Sequence, residues 1–142
     1  MPEIGLFLSS EEHGPRALVD QARMAEEAGF RAVLIAALKV CWDAYESRAR
    51  KLAHELWPTE CLPGQLNQEL PMPAHFEQAA SIVTEDMVAA KVVCGPDPER
   101  HADAIAEYLD AGFDEVYVGQ IGPDQLDFLD FFNKEVRGRL DL

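Results

Sequence analysis

The chain is short of positive charge: 12 lysines and arginines stand against 26 aspartates and glutamates, a formal charge of −14. Nucleic-acid binding depends on Lys and Arg displacing counterions from phosphates, so this balance excludes nucleic acid and anionic membranes as partners. The plain reading of the excess acid is a solubilising surface. Long apolar runs are lacking too, and the longest, Ala32 to Leu38, is far too short to cross a bilayer. Met1-Pro2-Glu3 leads straight into an apolar run with no basic segment, so no signal peptide is expected and the expected setting is the cytoplasm. Cysteine is scarce: Cys41, Cys61 and Cys94 are odd in number, far apart and outside any CxxC pattern. A disulfide framework is therefore not expected, and a reducing compartment fits. His54, His75 and His101 stand alone, without HExxH or paired-ligand spacing, so no metal is expected either. There is no GxGxxG, Walker loop or GxSxG, which leaves a Rossmann enzyme, an NTPase and an α/β-hydrolase without support.

What is present reads as one globular domain spanning residues 1–142. Glu3 to Leu8 is a short apolar run, followed by polar residues and then Gly14-Pro15. Proline suits a first helical position because its missing N–H would be unpaired there anyway, so a helix is expected from Pro15 to about Ala28, burying Leu18, Ala22 and Ala25. Gly29 ends it and Phe30 opens a second apolar run. The pattern returns later: Asp97-Pro98 caps a helix with Ala102, Ile105, Ala106 and Leu109 on one stripe. Ala111-Gly112-Phe113 closes it as Ala28-Gly29-Phe30 closes the first, and a strand follows from Glu115 to Ile121. Helix, glycine turn and buried strand, occurring twice, is half of a βαβ repeat. Strands apolar on both faces, such as Val33-Leu34-Ile35, suit a covered parallel sheet. An α/β fold with parallel strands is the prediction.

Between these units an amphipathic helix is expected over about Asp43 to Trp57, then a proline-rich loop, then a helix facing inward with Phe76, Ala79, Ala80 and Val83. A last helix is expected after Gly122-Pro123-Asp124, with Leu126, Leu129, Phe132 or Asn133, and Val136 along it. Ala32 to Trp42 is the odd stretch, a strand-like run with one charge, Lys39, and no turn residue. It reads either as one long strand or as two strands joined without a turn.

The opening IGLFLSSEEHGPRALVDQARMAEEAGF resembles the first strand, loop and helix of the luciferase-like oxidoreductases, closest to the glucose-6-phosphate-dehydrogenase-type branch that uses coenzyme F420, a deazaflavin. LKVCW, HELWP and CGPDPERHADAIAEYLDAGFDEVYVGQIGPD resemble the last quarter of the same proteins. The resemblance assigns residues 1–35 to the start and 38–142 to the end of the family barrel, with the middle missing. It implies hydride transfer to or from F420, or FMN as a second flavin-type cofactor, on the carboxyl face of a TIM barrel. The family's histidine, in a Ser-Asp-His-Phe motif after the second strand, has no counterpart, because Ile35 is followed by Ala36-Ala37.

A partial (βα)8 barrel of about three parallel strands, with helices on one face, is thus expected. About six to nine inward side chains would lose cover, at about 1.5–3 kcal/mol each if large and apolar. A homo-oligomer, with exchange along the Ala32 to Trp42 run, is expected to shield them; the competing expectation is that the Pro58 to Ala90 segment folds over the open face instead. Candidate catalytic residues are His13 and Glu12, a possible acid/base pair in the first strand-to-helix loop, with a solvated loop as the plainer reading. Candidate cofactor contacts are Ser9, Ser10, Lys39, Gln120 and Gly122. Lys39 equally suits an amine kept in water at a barrel mouth, and Asp124 an ordinary helix cap. Two functions remain: an oligomer that keeps flavin or deazaflavin binding or redox activity, and a catalytically silent assembly or binding module.

Overall fold

The computed structural model describes residues 5–8, 15–28, 32–35, 38–63, 66–113 and 116–140. Ser9, Ser10, Glu12 and His13 lie outside the described residues. In chain order the elements are β1 (Gly5–Leu8), α1 (Pro15–Glu27), β2 (Ala32–Ile35), β3 (Leu38–Cys41), α2 (Glu46–Leu56), a 3-10 turn (Pro58–Cys61), α3 (Leu66–Glu69), α4 (Pro73–Ala80), α5 (Glu85–Ala89), β4 (Val93–Cys94), α6 (Pro98–Ala111), β5 (Val118–Gln120) and α7 (Gln125–Phe131). Helix α7 continues through a π-helical turn, Phe132–Val136, and a 3-10 turn, Arg137–Arg139. The chain divides into two compact units, Met1–Leu38 with Asp103–Val118, and Lys39–Ala102 with Gly119–Leu142.

In the first unit β1 and β2 pair in parallel, Gly5 opposite Ala32 and Leu8 opposite Ile35. Parallel neighbours need a crossover, which α1 supplies. Pro15 starts α1 as expected, and Leu18 and Ala25, seven residues apart on one stripe, are its buried positions. Ala22 is only half-buried. Gly112, at φ +102°, allows the chain to leave α6, and Tyr108 packs on Phe113 there with ring centroids 5.9 Å apart.

The second unit is built on a three-stranded sheet in the order β4-β3-β5. Strands β3 and β4 are parallel, Val40 opposite Val93 and Cys41 opposite Cys94. Leu38 N–H donates to the Tyr117 carbonyl at 2.8 Å, and Ile121 N–H donates to the Val40 carbonyl at 2.8 Å. Both chains advance together between those two bonds, so β3 and β5 are parallel as well. The Ala32 to Trp42 run is therefore two strands, and its halves belong to different sheets. Strand β5 is shorter than the sequence pattern suggested, and 116–117 lie outside any strand.

Side chains alternate along β3. Cys41 turns toward a core made with Ala49 and Ala53 of α2, Val88 of α5, Val92, Cys94 and Ile121. Ala49 and Ala53 have almost no side chain, which lets α2 lie close on the sheet. An ion pair between Arg50 and Asp86 and a hydrogen bond from His54 Nε2 to the Val83 carbonyl (2.8 Å) join α2 to the α5 region. Thr84 caps α5 by accepting from Met87 N–H at 3.3 Å, and Asp97 caps α6 by accepting from Glu99 N–H at 3.0 Å. On the opposite face Val40 is buried, while Leu38, Val93 and Val118 are half-buried. Among the described residues no helix is long and apolar enough to cross a membrane.

Candidate functional site

In a parallel sheet the strands all end on one side, and the loops leaving their carboxyl ends gather side chains from separate parts of the sequence. Here those loops are 42–45 after β3, 95–97 after β4 and 121–124 after β5. Gln120, last in β5, grips the first of them: Trp42 N–H donates to Gln120 Oε1 at 2.9 Å, and Gln120 Nε2 donates to the Trp42 carbonyl at 3.2 Å. The side-chain amide thus extends the β3–β5 ladder by one residue. Gln125 Nε2 donates to the carbonyls of Gln120 (3.1 Å) and Gly122 (2.7 Å). That amide, and not the Asp124 carboxylate, ties down the start of α7, since Asp124 makes no side-chain cap bond.

The backbone clamp fixes the Trp42 ring against Phe131, with centroids 5.6 Å apart. His101, on the first turns of α6, meets Phe131 edge-on at 5.3 Å and Phe128 at 6.3 Å. Its Nε2 donates to the Gly95 carbonyl at 2.9 Å, which assigns the ring proton to that nitrogen. Trp42 Nε1–H is buried and has no acceptor, the one such side-chain atom among the described residues. A buried donor without a partner costs about 1–3 kcal/mol, so its presence calls for a reason.

Asp43 follows Trp42 and is itself buried. Its Oδ1 accepts from Tyr45 N–H at 2.9 Å, and its Oδ2 pairs with Arg48 at 3.0 Å. Arg100 Nη1 lies 3.3 Å from both Glu46 Oε1 and the Cys94 carbonyl. Among the described residues there is no group of His, Cys, Asp and Glu arranged to hold a metal ion.

Of the candidates read from the sequence, Gln120 is in this cluster and binds the backbone of Trp42. Gly122 stands beside it at φ +103°, but a Cβ there would lie 2.7 Å from Leu52 Cδ2, so its bareness serves the packing of α2. Lys39 lies on the other face of β3, paired with Glu60 and 4.1 Å over the Trp57 ring. Trp42, Asp43 and His101 were not singled out as site residues. The one available signal was position: Trp42-Asp43 directly follows a strand, where α/β proteins keep ligands.

Burial lowers the pKa of His101 from its usual 6.5 and Arg100 pushes the same way, while the Gly95 hydrogen bond and Asp97 oppose them. With the folded pKa below the unfolded one, the unfolded chain takes up the proton first. The associated stability is complete above pH 6.5 and is lost as pH falls through 6.5 toward the folded value. Urea unfolding at about pH 7.5 and 5.5 should show this loss, and His101→Asn should remove the part due to this ring. An unchanged slope in the variant would rule His101 out.

No protein-family model matches the chain. It is 27% identical over 103 residues to the F420-dependent glucose-6-phosphate dehydrogenase of Rhodococcus hoagii, covering 72% of this chain and 30% of that protein. It is 29% identical over 84 residues to the enzyme of Nocardia farcinica (59% and 25%) and 26% identical over 136 residues to one from Rhodococcus jostii (96% and 40%). The chain is a distant relative of the F420-dependent glucose-6-phosphate dehydrogenases. It spans about a quarter to two fifths of the length of these relatives. Among solved structures it matches an F420-dependent secondary alcohol dehydrogenase with a TM-score of 0.66 at 15% identity, covering 99% of this chain and 50% of the other. The fold of this dehydrogenase relative is therefore that of half a luciferase-like TIM-barrel chain, as the sequence resemblance implied.

Proposed function

We propose that this chain is a deazaflavin-binding relative of the F420-dependent dehydrogenases, holding the ring at the carboxyl end of the β4-β3-β5 sheet. The observation that carries this reading is the Trp42 indole N–H, buried without an acceptor beside Phe131. A planar heterocycle edged with carbonyls supplies the acceptor that this donor lacks, so the residues present fit such a group. Bound deazaflavin supplies hydride chemistry. The chain's own contribution is to hold and orient the ring through Trp42, whose position Gln120 fixes. No proton transfer is assigned to it, because Ala36-Ala37 stand where the family's motif carries histidine.

A second copy belongs to the same proposal, since the match to half of a barrel chain supports an assembly that supplies further walls for the ligand. A cytoplasmic setting is supported by three free cysteines, all buried.

The test is a fluorescence titration with F420, and separately with FMN, with the mass of the same samples read by light scattering. Saturable F420 binding at tens of micromolar or below is expected, from an assembly larger than one chain. Trp42→Phe keeps the ring and removes the donor, and should weaken binding about two- to tenfold, the worth of one hydrogen bond. No saturable binding of either ligand would leave the silent assembly module as the better reading, and a lone chain at micromolar concentration would remove the second copy.

A further inference from the structure

We propose that Cys41 and Cys94 form a buried two-coordinate site for a soft monovalent d10 cation, Cu(I) or Ag(I). The two residues are direct partners on neighbouring parallel strands, and both turn into the same core with less than 2% of their surface exposed. Parallel neighbours point their side chains the same way, so the Cβ atoms of the pair lie one strand spacing, about 4.8 Å, apart. A disulfide asks for Cβ atoms about 3.5–4.5 Å apart, closer than that spacing provides. Two metal–thiolate bonds of about 2.3 Å laid end to end span about 4.6 Å, which matches it. Thiolates in a dry, apolar site select soft cations over hard ones.

Three further observations support a pair of ligands and this charge type. Neither thiol is in a disulfide, and the bond the Cys41 thiol makes to the Ile121 carbonyl, at 3.5 Å, is long and would be given up on binding. No third ligating side chain completes a cluster among the described residues, so higher coordination numbers are not served. A dithiolate with one monovalent cation carries a single negative charge, and Arg100 and Arg50 already act on Cys94 in the direction that favours the thiolate. Arg100 also donates to the Cys94 carbonyl at 3.3 Å. Strand β4 is two residues long and sits at the edge of the β4-β3-β5 order, which gives an entry route by local opening.

Binding is a proton exchange: two thiols and one cation give one linear dithiolate complex and two protons, with no electron transfer. Burial pushes the Cys41 thiol up to about 12 and the Cys94 thiol up to about 11, so both protons must be displaced and uptake strengthens as pH rises.

The experiment is an anaerobic titration of the full chain with Cu(I), buffered by a chromophoric chelator, with X-ray absorption on the loaded, unaltered protein. The expected result is one equivalent bound, two sulfur neighbours in line, and affinity that rises with pH. Cys41→Ser and Cys94→Ser should each lower affinity by more than about a hundredfold, since changes outside the ligand shell alone cost about ten- to a hundredfold. Cys61→Ser should leave it unchanged. Absence of uptake against the chelator, a shell with three sulfurs, or loss of binding in Cys61→Ser would overturn the proposal. The absorption measurement needs no variant, so a variant that fails to fold leaves the result decisive.

Discussion

Replacing Gly95 with alanine should lower the stability of the second unit by about 3 kcal/mol, from about 1–2 for backbone strain and 1–3 for overpacking. Gly95 sits at φ +97°, where an L side chain is strained whatever the space. The added Cβ would also lie 2.9 Å from Glu46 Cβ and 3.1 Å from Glu46 Cα, both close to the helix backbone and unable to swing aside. Relief would require α2 to move off the sheet that its alanines allow it to approach. Two hydrogen bonds would be disturbed as well, since Gly95 N–H donates to the Cys41 carbonyl at 2.9 Å and its own carbonyl receives His101. Gly122→Ala is the contrast. It meets Leu52 Cδ2, the far end of a side chain that can rotate, so a smaller loss is expected. Both tryptophans of the chain, Trp42 and Trp57, lie in the second unit, so urea unfolding followed by their fluorescence reads these variants directly. Equal losses at the two glycines would show that the clash with the Glu46 backbone costs no more than the one with the Leu52 side chain.

Phe128→Ala should cost about 3–5 kcal/mol, the range for deleting a buried aromatic ring. Phe128 is 5% exposed and packs on His101 and, at 5.9 Å, on Phe132. Its loss leaves a hole beside His101, whose ring meets Phe131, the ring that supports Trp42. The effect should therefore reach the ligand titration as well as the urea midpoint. Leu126, two residues earlier and 81% exposed, is the control, and Leu126→Ala should change stability by less than about 0.5 kcal/mol. A comparable loss from both would mean that α7 buries a different face from the one described.

The elements the sequence predicted best are those whose signals are local. Pro15 at a helix start, the Leu18–Ala25 stripe, Asp97 as a cap and Gly112 at a helix end each depend on a few adjacent residues, and each is found. The resemblance carried the half-barrel fold for the same reason, because LKVCW and the segment from Cys94 to Asp124 keep their motif spacing. Less legible was the division of Ala32 to Trp42. An apolar run looks alike whether it forms one strand or two, and the partners that decide it, β1 for one half and β4 and β5 for the other, lie far along the chain. The face of the last helix was read less well: of the expected positions Val136 is buried, but Leu126 is 81% and Leu129 53% exposed, and Phe128 is buried in their place.

Composition, local capping and turn chemistry determined by themselves that this is an acidic α/β chain with parallel strands. Only the tertiary structure decided which side chains meet at the carboxyl end of the sheet. Gln120 is 78 residues from Trp42, yet its amide holds that residue's backbone, and His101 and Phe131 reach the same ring cluster from two other elements. Such contacts have no periodic trace in a sequence, because they depend on strand order and loop direction, and these are set by long-range packing.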